Sequence, residues 1–261
     1  MPERHVNLMT RNSNAPSRPE KIVVLPLGAT EQHGPHLPLE TDAIIAEGVA
    51  ARTKERLPAD LDVDFLPVEK VGYSIEHSDV SGTKTLAYDE AIRRWIGIGE
   101  RAFEAGTRKF VMLNAHGGNS ALMTIVATEL RARFGMLAVA TSWTRFGYPD
   151  EIVSAQERAF GIHGGLIETS VMLALRPDLV DMAKASNFGS AQEDFAREFK
   201  HLRAYGPHAF GWMMRDLSRD GVTGDAAAAS AEAGEKILDH AVAGFIELLA
   251  DVDRFDMSRL A

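Results

Sequence analysis

Short apolar runs that alternate with helical segments are the feature of this sequence that most restricts its fold. Each run has the length of one buried strand. Because strands that alternate with helices form parallel sheets with helices on both faces, we expect an α/β three-layer sandwich with a mostly parallel central sheet. The predicted strands are 21–28, 63–68, 109–114 and 137–142.

The segments between and after these strands have apolar residues at helical spacing. Gly106 directly follows the second segment, as a glycine that ends a helix does. Residues 186–222 are less periodic, and we expect a long excursion over the sheet there. Since the sequence has no internal repeat and no linker, residues 21–261 are expected to form a single domain behind a polar N-terminal arm of residues 1–20. The predicted helices are 42–57, 88–105, 120–134, 165–175 and 226–249.

The composition restricts both the partners and the chemistry of the chain. Its 261 residues carry a net charge of −9 and contain no basic run. Such an acidic chain is a poor partner for nucleic acid or for an anionic membrane surface, and we expect a cytoplasmic protein that binds neither. Because there is no cysteine, disulfides and thiolate metal sites cannot form, and any metal must be held by His and carboxylate side chains.

The first cluster of candidate metal ligands follows the first predicted strand. Glu31 and His33 are two residues apart and point the same way in an extended loop, and Asp42 opens the next helix. A carboxylate beside an imidazole suits Zn, Mn or Fe(II), and a carboxylate can bridge two such ions. The residues leave open a plainer interpretation, in which Asp42 only caps the helix and the histidines are surface residues of a loop.

The second cluster is His116-Gly117-Gly118-Asn119, directly after the third predicted strand. The glycines permit a close approach of the backbone, and Asn119 is a candidate cap for the helix that begins at Ser120. A plainer interpretation of this cluster is a tight strand–helix turn that happens to carry a histidine. Nucleotide or phosphate binding at this turn is disfavoured, since the turn lacks the lysine of a P-loop and the full glycine fingerprint of a dinucleotide site.

The third cluster runs from His163 to Glu168, with two glycines between them. If the helix begins near Gly165, Glu168 lies in its first turn, where the helix dipole favours a carboxylate in any case. The functional interpretation makes Glu168 a metal ligand and His163 a general acid or base near neutral pH.

All three clusters lie after predicted strands or at helix starts, the edge at which open α/β sheets bind ligands. The plain interpretations do not explain why most of the unusual His and carboxylate residues fall there together, and we expect one site. His77 is a candidate to line its cavity, and His36 is a candidate to orient a neighbouring ligand.

Three motifs of the sequence resemble those of the creatininase (creatinine amidohydrolase) family. Residues 26–38 followed by Asp42 resemble its signature, and residues 114–119 and 163–170 resemble its second and third motifs. Gly82-Thr83 and residues 221–225 add two weaker similarities. The resemblance covers roughly residues 20–250.

The resemblance implies a parallel α/β fold, two divalent metal ions (Zn, Mn or Fe), and hydrolysis of a non-peptide C–N bond, often in a cyclic amide. A metal-bridged hydroxide would attack the amide carbon, and His163 would protonate the leaving nitrogen. A small-molecule amide is the expected partner, along with further copies of the chain in a homo-oligomer, by resemblance a hexamer. The implied metal ligands are Glu31, His33, Asp42 (bridging) and His116.

Two departures favour a branch of the family other than creatininase proper. Gly118 stands where creatininase proper has a metal-binding glutamate, and we infer that Glu168 supplies the missing carboxylate. Residues 159–162 lack the tryptophan that closes over creatinine, although Trp143 matches an earlier substrate-loop tryptophan. The substrate contacts are expected to include Gly117, Gly118 and Asn119. A formamide deformylase, a peptide-trimming hydrolase and a non-catalytic metal-containing binding protein are the alternatives to hydrolysis of a small cyclic amide.

Overall fold

The structure is a computed structural model that describes residues 20–260, so the predicted N-terminal arm lies outside the described residues except for Glu20. The strands are Ile22–Leu27 (β1), Val63–Phe65 (β2), Lys109–Asn114 (β3), Leu137–Ser142 (β4), Asn187–Phe188 (β5) and Gly224–Asp225 (β6). The helices are Thr41–Arg56 (α1), Tyr88–Glu104 (α2), Ser120–Phe134 (α3), Ala155–Phe160 (α4), Leu166–Leu175 (α5), Ala191–Glu198 (α6), Met214–Leu217 (α7) and Ala231–Arg254 (α8). Within residues 20–260, no helix combines the length and the apolar character that crossing a membrane requires.

The central sheet consists of four parallel strands in the order β2-β1-β3-β4. Leu27 pairs with Asn114, and Asn114 pairs with Ser142, so the carboxyl ends of β1, β3 and β4 are level. The chain winds from β1 to β2 on one side and from β3 to β4 on the other. The direction of winding therefore changes between β1 and β3, and parallel sheets bind ligands outside such a switch point.

Alternate residues of β1 enter different cores. Ile22 and Val24 pack in one core with α1, α5 and α8, whereas Val23 and Leu25 pack in the other with α2 and α3. A strand that is buried on both faces needs apolar residues throughout, which explains the continuous run in the sequence. Helices on both faces of a parallel sheet confirm the predicted three-layer α/β architecture.

Two predicted elements differ from the observed ones. The predicted strand 63–68 is regular only over β2, because Pro67 has no N–H to donate, and pairing resumes as a single bridge between Leu27 and Glu69. The predicted helix 226–249 begins later, at Ala231. Before it, the Asp225 side chain accepts a hydrogen bond from the N–H of Ala228 and closes a separate turn.

The predicted excursion, residues 186–222, contains only the short elements β5, α6 and α7. It contributes Tyr205 and Trp212 to the wall of a cavity at the switch point between β1 and β3.

Candidate metal centre

Glu31 and His33 lie in the loop after β1, and a glycine lets α1 return to that loop. A Cβ atom on Gly28 would lie 2.6 Å from the Cα atom of Ala43, so only glycine allows α1 to start this close to the end of β1. Asp42, in the first turn of α1, is thereby buried beside Glu31 and His33. The N-cap residue of α1 is Glu40, and the capping role considered for Asp42 is not observed.

Asp42 stands between two sets of candidate ligands, and each of its oxygens faces one of them. In the Glu31 set (Glu31, Asp42 and His116), His116 Nδ1 lies 3.1 Å from Glu31 Oε1 and 3.3 Å from Asp42 Oδ2. In the Glu168 set (His33, Asp42 and Glu168), His33 Nε2 lies 3.3 Å from Asp42 Oδ1 and 3.7 Å from Glu168 Oε2. The donor atoms of each set lie within 4.8 Å of one another.

The two histidines of these sets turn a free ring nitrogen toward Asp42. His33 Nδ1 donates to the carbonyl oxygen of Glu31 at 3.1 Å, which leaves the lone pair on Nε2. His116 Nε2 donates to the carbonyl oxygen of Tyr73 at 2.9 Å, which leaves the lone pair on Nδ1. Backbone carbonyls that fix the far nitrogen in this way are the usual support of metal-binding histidines.

The polar atoms of this cluster fit bound cations. Among the described residues, the buried side-chain atoms without a hydrogen-bond partner include both carboxylate oxygens of Glu31, His33 Nε2 and Asp42 Oδ2. Burying a carboxylate without a partner costs several kcal/mol, roughly, and a directly coordinated cation removes that cost. The three carboxylates of the two sets would offset three of the four positive charges of two divalent ions, and the donor types suit Zn, Mn or Fe(II).

The ionisation of the cluster reflects its unbalanced negative charge. Burial lowers the pKa of His33, but the carboxylates of Asp42, Glu168 and Glu31 together outweigh it and raise this pKa to about 9. Burial also lowers the pKa of His116, which the Glu31 carboxylate raises well above its ordinary value. Burial raises the pKa of Asp42, whereas the neighbouring His33 holds it well below its ordinary value. Protons on the two histidines therefore balance the carboxylates, and bound cations would take their place.

His163 is stacked between two other rings at the wall of the site. Its ring centroid lies 4.2 Å from that of His33 and 4.4 Å from that of His77, and its Nδ1 atom is 3.7 Å from Glu31 Oε1. The cavity in front of these rings has a volume of about 350 Å³. Its lining consists of Glu31, Asp42, Glu76, His77, His116, Gly117, Gly118, Ile162, His163, Glu168, Tyr205 and Trp212.

Volume alone would not identify this cavity as the functional site. A larger one, of about 540 Å³, lies beside β2 and α2, but the described residues that line it include no histidine. We place the functional site in the smaller cavity, because the buried ionisable groups and the candidate ligands converge there.

Comparison with known proteins identifies the family of this chain. A family model described as creatinine amidohydrolase matches residues 8–249. This chain belongs to the creatininase family. It is 32% identical to the mycofactocin precursor peptide peptidase of Mycolicibacterium smegmatis over 227 residues, which cover 85% of this chain and 82% of the relative.

Solved creatininase structures share the fold. A creatininase in an Mn form superposes with a TM-score of 0.70 at 25% identity, over 89% of this chain and 91% of that one. A mutant creatininase of Zn-Zn type superposes with a TM-score of 0.68 at 26% identity, over 89% and 90% of the two chains. The predicted creatininase-like architecture is thereby confirmed.

Gly118, where creatininase proper is expected to carry a glutamate, has no room for a side chain. A Cβ atom there would lie 2.4 Å from the carbonyl oxygen of Tyr73 and 2.5 Å from both Glu76 Oε1 and His116 Nε2. Glu76 occupies this space instead, with Oε1 3.5 Å from His116 Nε2. No pattern in the sequence marks Glu76, because only a contact between separate loops reveals it.

Asn119 connects three segments around the site and does not cap α3. Its side chain accepts from the N–H of Tyr73 and donates to the carbonyl oxygen of Gly28 and to Asn114 Oδ1. The predicted cap is absent, since the side chain is used in these bonds. Asn114 also accepts from the N–H of His116 at 3.1 Å, and no pattern in the sequence marks this second positioning amide.

His36 and Trp143 were predicted to belong to the site, but neither lines its cavity. His36 Nε2 bonds to the hydroxyl of Thr169 in α5 at 2.8 Å, and the ring stacks on Phe188 rather than on a candidate ligand. Trp143 is buried in the core and lines a third cavity, of about 210 Å³, which Glu168 also borders.

Proposed function

We propose that this protein is a two-metal amidohydrolase that cleaves the C–N bond of a small amide. The observation that carries the proposal is the pair of ligand sets on the two oxygens of Asp42, with His163 at their edge. Glu31, Asp42 and His116 would hold one ion, and His33, Asp42 and Glu168 the other. Two divalent ions at such a site supply Lewis acidity toward a carbonyl oxygen and lower the pKa of water.

His163 is placed to move the proton that the reaction requires. Its Nε2 atom donates to the carbonyl oxygen of Gln32 at 2.8 Å, so the lone pair of Nδ1 faces the site. In this position Nδ1 takes a proton from the attacking water and returns it to the nitrogen that leaves. A non-catalytic metal protein would have no use for such a group, which favours the enzyme over that alternative.

The cavity supports a substrate of modest size. Its volume of about 350 Å³ is near the lower end of the range for small-molecule sites. Glu76 offers a hydrogen-bond acceptor in a cavity that the aromatic residues Tyr205 and Trp212 also line. These features suit a small, and by resemblance cyclic, amide. They fit a formamide equally well.

Trimming of a peptide is the second candidate function. The observation that favours it is the 32% identity, over 85% of this chain, to a peptide peptidase. A peptide end of one or two residues would enter the same cavity and use the same groups. The predicted homo-oligomer and cytoplasmic location stay predictions.

A substrate panel tests the proposal. Metal-free protein would be loaded with zinc or manganese and assayed on lactams, cyclic ureas, formamides, creatinine and short peptides. We expect hydrolysis that requires the metal. His163→Gln should lower kcat by about 10²–10⁴-fold while the metal content stays unchanged. Equal activity of the metal-free protein would refute the two-metal proposal.

A further inference from the structure

The side-chain amide of Gln32, inside the first motif, has a single permitted orientation. Its Oε1 atom accepts from the N–H of Gly34 at 2.9 Å, and its Nε2 atom donates to the carbonyl oxygen of Gly221 at 3.0 Å. A backbone N–H can only donate and a carbonyl can only accept, so the amide cannot be reversed. Both glycines have a positive φ, of 69° and 71°, and a Cβ atom on Gly221 would lie 2.2 Å from Gln32 Oε1.

This fixed amide determines where His77 carries its proton. Gln32 Nε2 also lies 3.0 Å from His77 Nδ1. Because the amide nitrogen can only donate, Nδ1 must accept, and the neutral ring carries its proton on Nε2. That N–H is on the side of the cavity, with Nε2 3.4 Å from Glu31 Oε1. A doubly protonated ring would carry a hydrogen on Nδ1 and could not accept the bond from Gln32, so the ring is neutral.

The backbone carbonyl of Gln32 orients His163 in the opposite way, with its unprotonated ring nitrogen toward the cavity. The carbonyl oxygen of Gln32 accepts from His163 Nε2 at 2.8 Å, so the proton of His163 points away and the lone pair of Nδ1 points in. The rings of His77 and His163 stack with an interplanar angle of 30°. Two adjacent histidines therefore present different atoms to one cavity, a donor and an acceptor.

We propose that Gln32 is a positioning residue that holds His77 as a hydrogen-bond donor and His163 as a proton acceptor toward the substrate. This inference rests on the proposed function. The His77 N–H binds the carbonyl oxygen of the amide as it gains negative charge. The bond from water oxygen to carbon forms, and the C–N bond breaks. One water proton passes through His163 Nδ1 to the leaving nitrogen, and the other is released from the carboxylic acid product.

The proposal also assigns His77 a role other than metal binding. Ligand atoms of Glu31, Glu76 and His77 lie within 4.8 Å of one another and could be taken for a third ion site. A ring nitrogen that carries a proton has no lone pair for a metal, so this group is not expected to bind one. His77 should therefore be dispensable for metal binding and required for turnover.

Nitrogen NMR of the histidine rings tests the tautomers without any substrate. The zinc-loaded full chain would be labelled with ¹⁵N-histidine, and signals assigned by their loss in His77→Phe and His163→Phe. We expect the proton on Nε2 in both rings. In Gln32→Glu, recorded above neutral pH, the carboxylate should draw the His77 proton to Nδ1, whereas His163 should not change because it bonds to the backbone. A wild-type His77 protonated on Nδ1, or one unaltered by Gln32→Glu, would overturn the proposal.

Kinetics test the donor role. His77→Phe keeps a ring but loses the N–H, and we expect kcat to fall by about 10²–10³-fold with little change in KM or metal content. His77→Gln, which offers an amide N–H in a similar place, should recover at least tenfold of the loss, as a structural role would not. His240→Phe makes the same change at an exposed histidine and should leave kcat unchanged.

The outcomes separate this inference from the proposed function. Loss of metal in His77→Phe, or full activity of that variant, contradicts the donor role. If the wild-type protein hydrolyses nothing in the panel, the proposed function fails, while the ring tautomers still decide whether Gln32 fixes the two histidines.

Discussion

The Glu31 set and the Glu168 set share Asp42 but are attached to the fold in different ways. Glu31 and His116 follow adjacent parallel strands, and their side chains are 0% and 4% exposed. Glu168 lies outside the sheet in the first turn of α5, is 15% exposed, and accepts from the N–H of Gly164 at 2.6 Å. Burial raises the pKa of Glu168 to about 7.

A bound cation would therefore stabilise the Glu31 set more than the Glu168 set. The oxygens of Glu31 are buried without a hydrogen-bond partner among residues 20–260, whereas Glu168 has a backbone donor and some contact with water. Since the cost of an unpaired buried carboxylate is recovered when an ion binds, we expect tighter binding at the Glu31 set.

Asp42→Ala should have the largest effect, because it removes the one residue common to both sets. We expect loss of both ions and a fall in activity of at least about 10³-fold, close to the background rate. Elemental analysis of the purified variant measures the metal content. Retention of one ion at full occupancy would show that the two sets do not depend on a shared bridge.

Glu31→Gln and Glu168→Gln compare the two sets directly by the same chemical change. Glu31→Gln should abolish the tighter binding event, and Glu168→Gln should weaken only the other by at least about tenfold, or ~1.4 kcal/mol. Titration of metal-free protein with zinc, in competition with a chelator, measures both events. The proposed order of affinities is wrong if Glu168→Gln removes the tighter event.

Gly118→Ala should disturb the Glu31 set alone. Its Cβ atom would displace Glu76 or His116, and overpacking of this kind costs about 1–3 kcal/mol of unfolding free energy. Gly117→Ala is the matched control, since a Cβ atom there meets nothing within 4 Å. Urea unfolding and the zinc titration should separate the two variants. Equal behaviour would show that the space around Gly118 is not restrictive.

Ser230→Ala should have the smallest effect and should leave both sets intact. The Ser230 hydroxyl accepts from the N–H of Ala233 at the start of α8, and loss of such a cap costs about 1 kcal/mol. Urea unfolding should detect this change while the zinc titration stays the same. Altered zinc binding would mean that α8, which packs on α5, influences the position of Glu168.

The alternation of apolar runs with helical segments was sufficient to predict the fold. β1 and β3 are buried throughout and β4 is partly buried, and each falls within about one residue of its predicted bounds. β2 is shorter than predicted, because an apolar composition does not report that Pro67 lacks a donor. The local sequence pattern thus identifies the strands, and the available backbone N–H donors limit their length.

The candidate site was predictable only where neighbours in sequence are neighbours in space. Glu31, His33 and Asp42 belong to one continuous motif, and their proximity follows from it. Glu76 and the side chain of Gln32 act through partners tens of residues away in the sequence, such as Gly221, which lies 189 positions after Gln32. Such pairings depend on the tertiary fold, which one sequence does not specify residue by residue.

Two separate parts of the chain form the cavity, one for the candidate metal ligands and one for the wall that a substrate would contact. The candidate metal ligands on its floor come from the loops after β1 and β3 and from the first turns of α1 and α5, whereas Tyr205 and Trp212 in its wall come from residues 186–222. Mutations in that wall can alter which molecule fits while the candidate metal ligands stay in place. An ancestral hydrolase built in this way can diversify into enzymes with new substrates without having to evolve its chemistry again.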